Sequence, residues 1–272
     1  MYDFHMHTHN SLDSKQTLDE ICESALEKGL EGVAVTDHVD MWFYARENTE
    51  GRISSCIADV NVAKEKYGAE LDIMQGVEMA EYLFDRENAE IIMNLTDYDV
   101  ILGSVHSVFY EDWTDSYSRL DFGAEAASVE KVKGFLREYF KKVYEMAEKT
   151  DFDVLSHLTC PLRYINGKYG RNIDSMEFKT EIEEILKLII KRGISLEINT
   201  SGVGSAFDST MPDSKIIKIY CDLGGKMVTL GSDAHVPDRI ANGFDFAVSE
   251  LKKIGFDEYY TFKKRKPISH EF

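Results

Sequence analysis

Proline and cysteine are scarce in this chain, and long apolar runs are missing. Only four prolines and four cysteines occur among 272 residues. With so few prolines and no low-complexity stretch, nothing marks a linker, so residues 1–272 are expected to form a single domain; α/β barrels reach about 250 residues as one unit. Cys22, Cys56, Cys160 and Cys221 lie far apart and show no CxxC or zinc-finger spacing. A chain of this length buries roughly 70–75% of its unfolded surface without needing disulfides, so reduced thiols and a cytoplasmic setting are expected. No run approaches the ~18–20 apolar residues of a membrane span. Met1-Tyr2-Asp3-Phe4-His5 carries an early acid and lacks the apolar core of a signal peptide. Basic charge is also short: 31 Lys and Arg face 49 Asp and Glu, a net charge of −18. A field of that sign repels polyanions, so neither nucleic acid nor an acidic membrane surface is an expected partner. The same field works against a phosphate substrate unless something reverses it locally.

What is present alternates. Short apolar runs predict strands at Tyr2–His7, Gly32–Thr36, Leu71–Glu78, Val100–Ser104, Val154–Ser156, Ser195–Asn199 and Lys226–Gly231. Amphipathic stretches between them predict helices at Leu18–Lys28, Ile57–Tyr67, Val129–Lys149, Phe178–Arg192, Ser214–Leu223 and Gly243–Ile254. Thr17 is placed to cap the first helix, and Gly29, Gly68, Gly193 and Gly224 follow helix ends. Strands alternating with helices imply a parallel sheet with right-handed crossovers. A closed barrel and an open doubly wound sheet both fit, and in either one ligands gather at the carboxyl ends of the strands.

The histidines keep step with those ends. His5 and His7 are two apart on the first strand and so share a face. His38, His106 and His157 follow the second, fourth and fifth strands, Glu78 ends the third, and Asp233 and His235 follow the last. One His-x-His is a weak signal, and a lone strand-end histidine is usually a hydrogen-bonded polar residue. Scattered histidines, however, have no reason to follow the strand period. Imidazoles converging with carboxylates and nothing else would leave buried polar groups poorly satisfied. Such a donor set suits zinc, manganese or iron. With Asp13 in the loop after the first strand, nine candidate ligands suit two or three divalent ions. Ions that close together favour phosphoryl chemistry.

These residues also carry a resemblance. Asp3-Phe4-His5-Met6-His7-Thr8, Thr36-Asp37-His38, Gly76-Val77-Glu78, Ser104-Val105-His106, Ser156-His157 and Gly231-Ser232-Asp233-Ala234-His235 resemble the PHP (polymerase and histidinol phosphatase) family, in order, from residue 3 to 235. The resemblance implies a distorted (β/α)7 TIM-like barrel with a trinuclear site. His5, His7, Glu78 and Asp233 would hold one ion; Glu78, His106 and His157 a second, with Glu78 bridging; and Asp13, His38 and His235 a third. Within the family, the length and two further stretches are similar to histidinol-phosphate phosphatases. His157-Leu-Thr-Cys-Pro-Leu-Arg163-Tyr164 is similar to a segment supplying a phosphate-binding arginine, and Leu196-Glu197-Ile198-Asn199-Thr200 resembles the strand-six motif. Two positions depart from the family pattern: Thr159 stands where Asp is frequent, and Ser201 where Arg is frequent.

The expected reaction is phosphomonoester hydrolysis, with a metal-bridging hydroxide attacking phosphorus in line and Arg163, Asp233 and His235 as catalytic residues. Arg163 would give the phosphate a planar bidentate contact. Lys168 and Arg171 are candidates for the rim of a phosphate pocket, beside the reading that they sit in a solvated loop. Asp3 and Asp37 are candidates to orient the imidazoles or simply to end strands. Trp42, Phe43 and Tyr44 are candidates for a pocket wall or for ordinary packing. His9, His270 and the Lys263–Lys266 cluster read as loop and tail. L-histidinol phosphate in histidine biosynthesis is the expected substrate. The competing readings are a phosphotyrosine or other small-ester phosphatase and a non-catalytic metal-binding module.

Overall fold

All residues from Met1 to Phe272 are described by the computed structural model. Eight strands build one sheet: β1 Tyr2–Asp3, β2 Gly32–Val35, β3 His38–Asp40, β4 Asp72–Ala80, β5 Val100–Ser104, β6 Val154–Leu155, β7 Ser195–Asn199 and β8 Val228–Gly231. Every neighbouring pair is parallel. The helices are α1 Leu18–Glu27, α2 Thr49–Tyr67, α3 Arg86–Met93, α4 Val129–Lys149, a short α5 Cys160–Leu162, α6 Lys179–Arg192, α7 Ser214–Asp222 and α8 Phe244–Ile254. The sheet closes on itself. Beyond β1 the chain stays extended between β2 and β8: Phe4 N–H donates to Leu230 O, Asp233 N–H to His5 O, and Thr36 N–H to Met6 O. The closed alternative of the two sheet forms is therefore the one adopted, a distorted TIM-like barrel.

Helix ends follow the sequence signals. Thr17 accepts from the Glu20 N–H while the Glu20 carboxylate accepts from the Thr17 N–H, a complete capping box. Gly193 ends α6 with a left-handed φ of 69°. Four features differ from the expectation. The second strand does not stop at Thr36: β2 pairs with the lower half of β4 and β3 with its upper half at one constant register, Val35 beside Gln75 and His38 beside Glu78. α2 begins at Thr49, eight residues before the apolar spacing becomes helical, and α3 is an extra short helix capped by Asp85. The basic tail folds as a hairpin, β9 Glu258–Lys263 and β10 Lys266–Glu271. Its two turn residues, Lys264 and Arg265, both have positive φ, as a type I′ turn requires. Lys264 and Arg265 N–H groups bond to Asp99, and the Arg265 guanidinium grips Asp153 and Asp151. These basic residues therefore pin the hairpin under the barrel.

Two layers of core result. Fifty buried residues, largely between the strands and α4, α6, α7 and α8, form the outer core. Inside the lower barrel, Phe4, Ala34, Met74, Val100, Leu102 and Val154 pack with Phe262 from the hairpin. Met74 shares a strand face with Glu78, four residues on, so the same interior changes from apolar at the bottom to charged at the top. Cys22, Cys56, Cys160 and Cys221 form no disulfide. No helix is long and apolar enough to cross a membrane.

Candidate metal centre

The strand register brings nearly all the expected ligands to one focus, with Glu78 at its centre. Glu78 is fully buried, and both of its oxygens are used. Oε1 lies 2.7 Å from His157 Nε2 and 3.2 Å from His106 Nε2. Oε2 lies 2.7 Å from His38 Nδ1, 3.5 Å from His5 Nε2 and 3.7 Å from His7 Nε2. Asp233 Oδ1 is 3.2 Å from His7 Nε2 and 3.6 Å from His235 Nδ1. Asp13 reaches in from the rim, 3.3 Å from His235 Nε2 and 3.6 Å from His38 Nε2. Five overlapping triads of donors have their ligand atoms close enough to share an ion: His5, His7 and Glu78; Glu78, His106 and His157; His7, His38 and His235; His5, His157 and Asp233; and His38, Asp40 and His106.

The imidazole tautomers decide what this focus can hold. His5 Nδ1 donates to Glu197 Oε1 at 2.5 Å. His106 Nδ1 donates to Asp40 Oδ1 at 2.7 Å. His7 Nδ1 faces Ser11 Oγ at 3.3 Å, and that hydroxyl in turn donates to Asp37 at 2.6 Å. In a neutral ring the other nitrogen, Nε2, then bears a lone pair. Those lone pairs meet each other, with 3.1 Å between His5 and His7 Nε2 and 3.4 Å between His106 and His157 Nε2, and they meet the Glu78 carboxylate. Lone pairs converging on an anion repel unless a cation lies among them. Glu78 Oε2 and His38 Nδ1 lie 2.7 Å apart without hydrogen-bond alignment, and His157 Nδ1 is buried with no partner. The donor set therefore fits divalent metal ions.

Where no cation lies among the rings, the buried carboxylates draw protons onto three of them instead. Burial opposes charge on His5, yet Glu197, Glu78 and Asp233 outweigh it and hold its pKa well above the usual imidazole value. Burial is likewise outweighed at His38 and His106, chiefly by Glu78. Burial, with His38 and His235 adjacent, pushes His7 down to about 3. Burial alone would raise Glu78 and Asp233, but the surrounding imidazoles hold both well below the carboxylate range. The carboxylates stay charged, and the focus draws positive charge.

Backbone geometry holds these groups in place. Asp233 adopts a left-handed φ of 53° and His157 a φ of 20°, conformations that non-glycine residues rarely take and that cluster at functional sites. Asp3 accepts from the backbone N–H groups of Ser232, Ala241 and His5, tying the first and last strands together. Burial raises its pKa to about 6. Asp3 and Asp37 thus both support ligands.

Three supporting acids escaped the sequence reading. Asp40 sits two residues beyond His38 on the same strand face. Glu81 accepts from the His106 and Ser107 N–H groups; burial and the neighbouring Asp40 push its pKa up to about 7. Glu197 orients His5 through one oxygen and accepts the His157 N–H through the other at 2.6 Å. The sequence places Glu197 only in the strand-six motif, with no role; the further signal is a charge inside an otherwise apolar strand whose alternate residues, Leu196 and Ile198, face the helices. Replacing Glu197 with Gln should lower metal affinity about 10- to 100-fold with little change in fold; metal titration of the stripped protein followed by circular dichroism checks this.

A cavity of about 160 Å³ opens above the focus. Arg163 lines it, held by Ser201 Oγ at 2.6 Å and Tyr164 Oη at 2.8 Å, so the unexpected Ser201 serves to position the arginine. Glu47, Tyr117 and Arg119, none singled out from the sequence, line it too. Phe43 is in the wall, whereas Trp42 and Tyr44 are not. Lys168 and Arg171 lie outside the lining; Arg171 donates to Ala127 O and Lys168 sits over the Tyr169 ring. His9 is half exposed and lies 3.8 Å from Asp59. His270 is not a free tail residue: it stacks on Tyr259 and bonds Thr261.

Comparison with known proteins places this geometry. The PHP domain signature matches residues 3–201. A probable histidinol-phosphatase of Thermotoga maritima is 30% identical over 269 residues, covering 99% of this chain and 98% of that protein. A histidinol-phosphatase of Lactococcus lactis is 26% identical, covering 97% of this chain and 95% of its own. The crystal structure of a histidinol phosphate phosphatase from Lactococcus lactis, complexed with zinc, L-histidinol and phosphate, superposes with a TM-score of 0.75 at 22% identity, covering 98% of both chains.

Proposed function

The chain belongs to the PHP domain family, and on that premise we propose that it is a metal-dependent phosphomonoesterase hydrolysing L-histidinol phosphate to L-histidinol and phosphate. The observation that carries this reading is Glu78: one buried carboxylate whose two oxygens face separate groups of imidazoles, as a bridge between ions requires. His5, His7, Glu78 and Asp233 would hold one ion, Glu78, His106 and His157 a second, and Asp13, His38 and His235 a third. Zinc, manganese and iron all suit these donors. The histidinol-phosphatase names of the relatives support a role in histidine biosynthesis, and the unpaired cysteines suit a cytoplasmic enzyme.

When bound, the ions neutralise phosphate oxygens and supply hydroxide at neutral pH. The chain's own residues do the rest. Glu197, Asp40 and the Ser11–Asp37 pair fix the imidazoles so that Nε2 of His5, His106 and His7 points inward. Arg163 enters from the cavity wall, and its guanidinium plane matches two phosphate oxygens. Asp233 and His235 line the same cavity, with Asp233 Oδ2 3.9 Å from the Arg163 guanidinium, so the arginine is set beside the donor cluster. Glu47 and Asp40 add negative charge suited to the substrate's ammonium group. The net charge of −18 then becomes intelligible: an acidic body repels large anions, while the ions and Arg163 make one local positive point for a small phosphate.

Arg163→Lys keeps the charge but loses the fork. A charge-assisted hydrogen bond contributes about 1.5–3 kcal/mol, so kcat/KM should fall roughly 10- to 100-fold, mostly through KM. Steady-state kinetics on L-histidinol phosphate checks this. The function itself is tested by hydrolysis of an ester panel, including L-histidinol phosphate and a phosphotyrosine peptide, with defined metals.

A further inference from the structure

A second cavity, of about 440 Å³, lies beside the metal centre and shares no lining residue with the first. It is bounded by the turn after β3, the segments after β4 and β5, and α4. Its volume falls within the range of small-molecule sites. We propose that it is a binding site for a small organic cation, an ammonium group carried on an aromatic or other apolar body.

The apolar part of that ligand is argued from three rings. Trp42 stands edge-on between Phe84, 4.5 Å away, and Phe109, 4.3 Å away. Phe84 and Phe109 are 53% and 44% exposed, and all three rings line the cavity. Clustered exposed aromatics of this kind mark a ligand surface rather than a solvated one. Ring faces also attract cations.

The charge is argued from the acids. Glu81, Glu138 and Glu145 line the cavity against a single cation, Lys142. Lys142 is already engaged, 3.0 Å from Glu145 and 3.8 Å from Glu138. One Glu81 oxygen takes the His106 and Ser107 N–H groups, and the other is buried with no partner. An unpaired buried carboxylate oxygen is costly unless a donor reaches it. An anion would be repelled here, and a neutral hydrocarbon would leave that oxygen unsatisfied. An ammonium group on an apolar body answers both halves of the lining.

The test uses the whole metal-loaded protein and phenethylammonium as the probe, with 2-phenylethanol and phenylacetate as neutral and anionic controls of the same shape. Binding is followed by tryptophan fluorescence, to which Trp42 contributes directly, and by calorimetry. Expected is saturable binding of phenethylammonium at least about tenfold tighter than 2-phenylethanol, with no saturation by phenylacetate. Glu81→Gln should remove that preference. Phe84→Ser and Phe109→Ser, at exposed rings whose loss leaves the fold intact, should weaken both ligands. Absence of saturable binding, or equal binding of amine and alcohol, would overturn the proposal. So would amine binding unchanged in both phenylalanine variants, which would place the amine in the metal-site cavity.

Discussion

Glu78→Gln should abolish phosphatase activity more completely than any other single substitution of the centre. The change keeps the volume of the side chain, so the barrel should fold. It removes the one charge that faces His5, His7 and His38 on one side and His106 and His157 on the other. Its amide N–H₂ would also donate to an Nε2 lone pair and so stand where a cation would otherwise be held. Metal ions in such sites contribute several kcal/mol of charge stabilisation in the transition state, and each 1.36 kcal/mol is tenfold in rate. A loss of about 10³-fold or more in kcat is therefore expected, with metal content per chain falling in parallel. Turnover assays combined with elemental analysis check both.

Metal removal should give the largest change in stability. The buried donors of the centre gain their partners from bound cations, and the folded chain alone assembles them. A ligand at 100 to 1,000 times its Kd stabilises the folded state by about 2.7–4.1 kcal/mol per site. For a chain of this size 1 kcal/mol moves Tm by roughly 2–4 °C, so stripping even one tight ion should lower Tm by about 10 °C. Calorimetry before chelation, after it, and after metal is restored checks this. An unchanged Tm across all three would mean that the imidazoles are satisfied without metal.

The candidate ligands other than Asp13 were legible because each stands at or just beyond the end of an apolar run, and a strand's end can be read from composition alone. Thr36-Asp37-His38 and Ser104-Val105-His106 announce both the strand and what it delivers. The supporting acids were not legible in that way. Asp40 matters because β3 continues the register of β2 beside β4, and nothing local to residues 36–40 declares that continuation. Glu197 matters because it can lie against His5, 192 residues away, and only tertiary pairing reveals that neighbour. Gly231 belongs to the same contact: a Cβ there would stand 2.6 Å from His5 Cβ and collide with the Glu197 carboxylate. The C-terminal hairpin was hidden by its charge. Lys263-Lys264-Arg265-Lys266 looks like a solvated tail until Asp99 and Asp153, the residues immediately before β5 and β6, are found beneath it. Ser201 shows the converse case, a departure from the family pattern that turns out to hold Arg163 in the cavity wall.

The most direct test is kcat/KM for L-histidinol phosphate, compared with a phosphotyrosine peptide, on protein stripped of metal and then reloaded with zinc, manganese or iron. The expected result is no turnover when stripped. With metal restored, kcat/KM for L-histidinol phosphate should lie in the enzymatic range of about 10⁴–10⁸ M⁻¹s⁻¹ and exceed that for the peptide by at least about 100-fold. Full activity in the stripped protein, or preference for the peptide after reloading, would contradict the assignment.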